Sequence, residues 1–272
     1  MCNKNNNILS AALAIDENIY TKGLKRYDVN DIRNLEFFSK NTFFTNVIRK
    51  GFQVIENFFP ITLRKVLKIE KGYSPTAYTH LTEAYFISEK NNISLSGKIK
   101  SQIIIEQAIE LYLRENKNMS FWEFEENFIY IDIESLDKIT TMHMHGLARF
   151  NIALLKMDKY YDLPRYRNIA FRSAQYAIEN HKITEYDNGM MSISYFYNSD
   201  DCTININTEF AQWLSMIPIE LRNTNMNKLF IGIIKLVIEE QNQDGSWYYF
   251  TKAHMEKWGD KPSIDCHHTG TV

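Results

Sequence analysis

The chain has 272 residues, 44% of them hydrophobic, and a formal net charge of −2. This length holds one large domain or two small ones, and the near-neutral balance gives no global sign of nucleic-acid binding. Three cysteines make no disulfide framework, no apolar run reaches the ~18 residues of a membrane span, and 10 Gly with 5 Pro argue against a strand-and-turn protein.

The N-terminal MCNKNNN lacks the pattern of a signal peptide, so a reducing, cytoplasmic setting is expected. Residues 1–70 read as a basic, amphipathic helical segment: residues 22–71 hold 11 Lys/Arg against 5 Asp/Glu. Within it, FFTNVIRKGFQVIENFFPITLRKVLKI predicts two helices, the second opened by Pro60. Such a segment is a solvated basic face over a packed stripe, or a peripheral contact with the inner membrane surface through residues 43–71.

Residues 71–272 form the second predicted region. Helical periodicity runs through 98–115, 165–181 and 225–241, where Leu229, Ile233 and Leu236 share one face. Each of these segments ends in a polar loop: ENKNMS, NHKITEYDNG and NQDGSW. Between them lie more apolar segments, YTHLTEAYFIS (78–88), MHMHGLARFNIALL (142–155) and INTEFAQWLSMI (206–217). Placing His80, His145, Asn207 and His268 in register gives steps of 65, 62 and 61 residues. The pattern predicts a helical-hairpin repeat of about 60 residues, with apolar helices inside and one-striped helices outside. The expected fold is therefore all-α, an α/α toroid whose inner helices start at one mouth. His80, His143, His145, Asn207, His267 and His268 head those helices. Read singly, each of these is equally an N-cap or a satisfied surface histidine.

QNQDGSWYYF (241–250) followed by HHTG, together with HGLARFNIALL and NINTEFAQWL, resembles the α/α-toroid superfamily. That superfamily includes terpene cyclases, protein prenyltransferase β subunits and toroid proteins of bacterial polysaccharide loci. The likeness covers residues 60 to 272 and is nearest to the polysaccharide-locus group. It implies that Gln241 and Trp247 match a structural Q…GxW motif, Trp247 also offering a ring for sugar stacking. It further implies a toroid incomplete at its C-terminus, because a closed ring needs more hairpins than 272 residues supply.

Three chemistries follow as expectations. The first is action on a carbohydrate or glycoconjugate in surface-polysaccharide metabolism, of uronate epimerase or lyase type. His268, Tyr195, Tyr248 and His145 are its candidate acids and bases, and Arg149, Tyr197, Trp247, Asn207 and His80 its candidate binding groups. Arg149 falls one helical turn after His145, placed to meet an anion. The second is a zinc-dependent transferase resembling the prenyltransferases, with Asp200, Cys202 and His268 as ligands and an isoprenoid substrate. There the alternative is that Cys202 is a packing residue beside a helix cap. The third is terpene cyclisation, for which Asn198-Ser199-Asp200-Asp201 departs from the acidic D-x-D-D at its first position. A glycan-binding scaffold without catalysis stands beside them. On this reading His268 faces the mouth and His267 points about 100° away.

Overall fold

The computed structural model describes residues 14, 16, 17, 19, 43–69, 75–91, 96–115, 144–196, 199–264, 269, 270 and 272. The chain divides into two compact units, Met1–Ala77 with Asn127–Ile139, and Tyr78–Glu126 with Thr140–Val272.

In the first unit, α1 (Phe43–Phe58) is followed by α2 (Pro60–Val66). Pro60 occupies the first turn of α2, where a missing N–H costs no helix bond. Leu63 turns inward against Ile48, Phe52, Leu67 and Ile69. Beside it the buried Arg64 pairs with Glu56 at 2.6 Å and donates to the Pro60 carbonyl at 3.0 Å. A buried guanidinium is stable only when so paired.

The second unit takes α3 (Pro75–Lys90) from Tyr78 onward, then α4 (Gly97–Glu115), α5 (Met144–Tyr161), α6 (Pro164–Asn180), α7 (Ile204–Met216), α8 (Thr224–Glu239) and the short α9 (Lys252–Trp258). Helix dominates the described residues, as the periodicity predicts. Gly97 sets the α3–α4 corner: a Cβ there would run into the Tyr85 carbonyl and Glu89. Lys156 of α5 reaches Glu83 of α3 at 2.5 Å, and Phe86 stands edge-on to Tyr160 at 5.2 Å.

α5 is apolar nearly all round and is buried accordingly, with Met144, Leu147, Ala148, Phe150, Ile152 and Leu154 shut off from solvent. It packs against α6 and α7, and α7 in turn packs against α8. α8 buries one face, Met226, Leu229, Gly232, Ile233, Leu236 and Val237, and turns Ile231 and Ile238 to solvent.

One element was not anticipated. The polar loop expected over residues 180–189 contributes to a β-hairpin of β1 (Ile183–Glu185) and β2 (Met191–Ile193), paired Ile183↔Ile193 and Glu185↔Met191. Asn188 and Gly189 turn the chain with φ of 62° and 71°. β2 is buried on both faces and lies against α8 at Gly232, where a Cβ would stand 2.5 Å from Met191 Cγ.

Candidate functional site

The starts of α5 and α7 are held by main-chain bonds from three loops. The first amide of α5, Met144 N–H, donates to the Tyr195 carbonyl at 2.8 Å, and Tyr195 N–H donates to Asp201 O at 2.9 Å. Ile204 N–H, at the start of α7, donates to Tyr249 O at 3.1 Å, and Thr251 N–H donates to Cys202 O at 3.2 Å. Thr203 and Phe250 form an isolated antiparallel bridge. Amides that a helix leaves without internal partners are thereby satisfied. The same bonds bring the Tyr195 and Tyr249 segments beside the helix starts.

Between these helices lies Glu209, its side chain 2% exposed. Its Oε2 meets His145 Nδ1 at 2.8 Å. Its Oε1 accepts from Arg149 Nε at 2.9 Å and lies 2.8 Å from Arg149 Nη2. A carboxylate this deep keeps its charge only with a cation and hydrogen bonds to replace water, and Arg149 supplies both. An ionised carboxylate can only accept, and its partner in such a pair is a ring N–H at Nδ1. In the neutral tautomer of that kind, the ring's lone pair is on Nε2. The His145 and Arg149 side chains are partly exposed, at 31% and 24%. The arrangement has the parts of a general base: an imidazole oriented by a buried carboxylate, and a neighbouring cation.

Sequence reasoning named His145 and Arg149 and missed Glu209. The available signal was a single acid inside the otherwise apolar segment INTEFAQWLSMI. Asn207, set in register with His145 from the sequence, faces elsewhere. Its Oδ1 accepts from Ile193 N–H at 2.8 Å, and its Nδ2 donates to Thr203 O at 2.8 Å and Ile193 O at 3.2 Å. The amide imitates a strand residue and clamps β2 to α7. It is wholly buried, so its expected role in binding substrate gives way to a structural one. Trp247 donates its indole N–H to the Val237 carbonyl at 2.7 Å and so caps the end of α8. Gln241 Nε2 donates to Gly245 O at 3.1 Å within the turn. Tyr195 and Tyr248 are half-buried, and the Tyr195 ring packs on Phe196 at 4.4 Å. His80 is exposed on α3. Tyr197, Asn198, His143 and the group Asp265, Cys266, His267 and His268 lie outside the described residues, so the opening of a further helix at His268 does too.

The zinc triad expected at Asp200, Cys202 and His268 does not fit at its two described members. Lys182 and Lys257 both grip the Asp200 carboxylate, and their hydrogen bonds and charges hold its pKa down to about 2. Releasing that carboxylate to a metal would leave two lysines without it. Cys202 is 5% exposed, and burial pushes its thiol up. Asn207 Nδ2 lies 3.6 Å from its sulfur. Tyr186, on the same side, hydrogen-bonds Ser192 at 3.1 Å and is pushed up to about 12 by burial. Cys202 is thus part of a polar packing cluster under the hairpin. Among the described residues, no group of three or more His, Cys, Asp or Glu is placed to hold a metal ion. None of the helices described is long and apolar enough to cross a membrane.

No family model, curated protein or solved structure matches this chain.

Proposed function

We propose that His145, Arg149 and Glu209 are the working centre of an enzyme that moves a proton on an anionic carbohydrate, of the uronate epimerase or lyase type. The observation that supports this most is the buried Glu209 carboxylate, which joins two helices and presents an oriented imidazole and a guanidinium side by side. The C5 proton of a uronate is acidified by its carboxylate once that charge is countered, a task for Arg149. His145 Nε2 takes the C5 proton, leaving an enolate. Tyr195, whose carbonyl caps α5 one residue before His145, is the proposed acid. It returns a proton from the opposite face for epimerisation, or protonates the oxygen that leaves C4 for elimination. One turnover leaves His145 protonated and Tyr195 as its phenolate, and proton exchange with solvent resets both.

The hairpin order α3–α4, α5–α6, α7–α8 supports an α/α-toroid arrangement with this centre at the starts of its inner helices. A second reading, a glycan-binding scaffold, draws on the same ion pairs, because Glu209 also ties α5 to α7. A panel of uronic-acid oligosaccharides separates the two, with binding followed by calorimetry and products by proton NMR. The enzyme reading expects turnover that His145→Gln abolishes while binding survives, and weaker binding in Arg149→Gln. Binding without chemistry in the unaltered protein selects the scaffold. Neither binding nor chemistry across the panel contradicts both.

A further inference from the structure

Among its described residues, the first unit shows solvent an apolar face that their packing does not use. On α1, Val47, Gly51, Val54 and Phe58 recur at the spacing of one helix face, with Ile55 beside them, and all five are exposed. Phe58 is 74% exposed, and Phe59, Ile61 and Val66, in and next to α2, are exposed as well. The inward stripe is separate: Ile48 and Phe52 pack on Leu63. Monomeric proteins rarely leave an apolar run of this kind in water, and such patches mark contact surfaces.

The charges around it indicate the kind of contact. Lys50, Lys65 and Lys68 are exposed. Glu56 is the only acidic residue between positions 43 and 69, and Arg64 neutralises it at 2.6 Å. The face is therefore apolar in the middle and positive at its margin, with no exposed carboxylate in this segment to repel an anionic surface. An amphipathic helix with aromatic and aliphatic residues on one side and lysines at the edge is suited to the headgroup boundary of a bilayer. A protein partner would require a complementary acidic rim and a matched apolar surface. A bilayer with acidic lipids offers negative charge and apolar depth without a matched shape. We infer that the α1–α2 face docks the protein on an anionic lipid surface, with Phe58 and Phe59 entering the interface and Lys50, Lys65 and Lys68 holding the headgroups.

The test is co-sedimentation of the full chain with vesicles of phosphatidylcholine alone or mixed with phosphatidylglycerol. Binding to the mixed vesicles only, weakened by added salt, is the expected result. Each of Lys50→Gln, Lys65→Gln and Lys68→Gln should lower vesicle affinity about fivefold. Phe58→Ser with Phe59→Ser should abolish binding while leaving the circular dichroism melting curve in place, because neither ring is buried. Light scattering at the same protein concentrations covers the other occupant. A dimer that Phe58→Ser/Phe59→Ser turns into a monomer, without vesicle binding, would overturn the proposal in favour of self-association. A monomer that ignores acidic vesicles at low salt would overturn it outright.

Discussion

The α1–α2 pair and the α5–α8 assembly are both helical and rich in apolar side chains, yet they use those side chains in opposite ways. In α5 and α7 the side chains Phe150, Phe210 and Trp213 are shut inside the unit. In α1 and α2 the side chains Phe58, Phe59 and Ile61 stand in solvent. What separates them is the supply of partners. α5 has α6 on one side and α7 on another, whereas the only described cluster around α2 is Leu63 with four half-buried neighbours. Apolar periodicity states that a face will be covered; it does not state by what.

This contrast can be broken most forcefully at Trp213. It is 0% exposed, so Trp213→Ala should cost about 3–5 kcal/mol of unfolding free energy, read from urea denaturation. Phe58→Ala, a truncation of similar kind on α1, should stay within about 0.5 kcal/mol in the same assay. Equal losses would mean that α1 is packed like α7.

His181 gives the next effect. Its Nδ1 lies 3.2 Å from the Ser194 carbonyl under the hairpin, and burial lowers its pKa from 6.5 to about 4. Above pH 6.5 the ring is neutral in both folded and unfolded chains and contributes no pH dependence. As pH falls from 6.5 to 4, the unfolded chain takes up a proton that the native chain refuses. Stability should therefore drop over that window by about 3 kcal/mol. The variant His181→Gln, whose amide still donates to Ser194 but does not titrate, should flatten this part of the pH profile. An unchanged slope would show that other groups cause it.

Two glycines sharpen the comparison further. Gly232→Ala would place a methyl 2.5 Å from Met191 Cγ and 2.7 Å from its Cβ. It should cost about 1–3 kcal/mol as α8 is forced off β2. Gly51→Ala on α1 meets nothing within 4 Å and sits inside a helix. It should raise stability by about 0.5–1 kcal/mol. Thermal melts of both variants should move in opposite directions, and a destabilised Gly51→Ala would indicate a covering surface over α1.

Much of the helical framework was legible because 3.6-residue periodicity persists over four or five turns in 98–115, 165–181 and 225–241. The β-hairpin was not, since each strand has three residues, too few for a period of two to stand out beside the loop signals of Asp187-Asn188-Gly189. His145 and Arg149 could be paired from their i, i+4 spacing alone. Glu209 could not, because it comes from the next hairpin, 64 positions from His145, and aligning the hairpins on Asn207 put the wrong residue of α7 opposite. Burial also reversed the meaning of Cys202: in sequence a thiol next to Asp200 resembles a ligand pair, and in the fold it is a protonated group under a hairpin.

The central claim, that Glu209-oriented His145 takes a proton from a sugar, is tested most directly by deuterium exchange. The chain is incubated in D2O with the uronate oligosaccharide that binds it best, and deuterium at C5 is read by NMR. The account predicts wash-in at C5 that falls by at least about a hundredfold in His145→Gln and less steeply in Glu209→Gln, which keeps the shape but weakens the hold on the ring. Wash-in that persists undiminished in His145→Gln, or its complete absence in the unaltered protein with bound uronate, would contradict it.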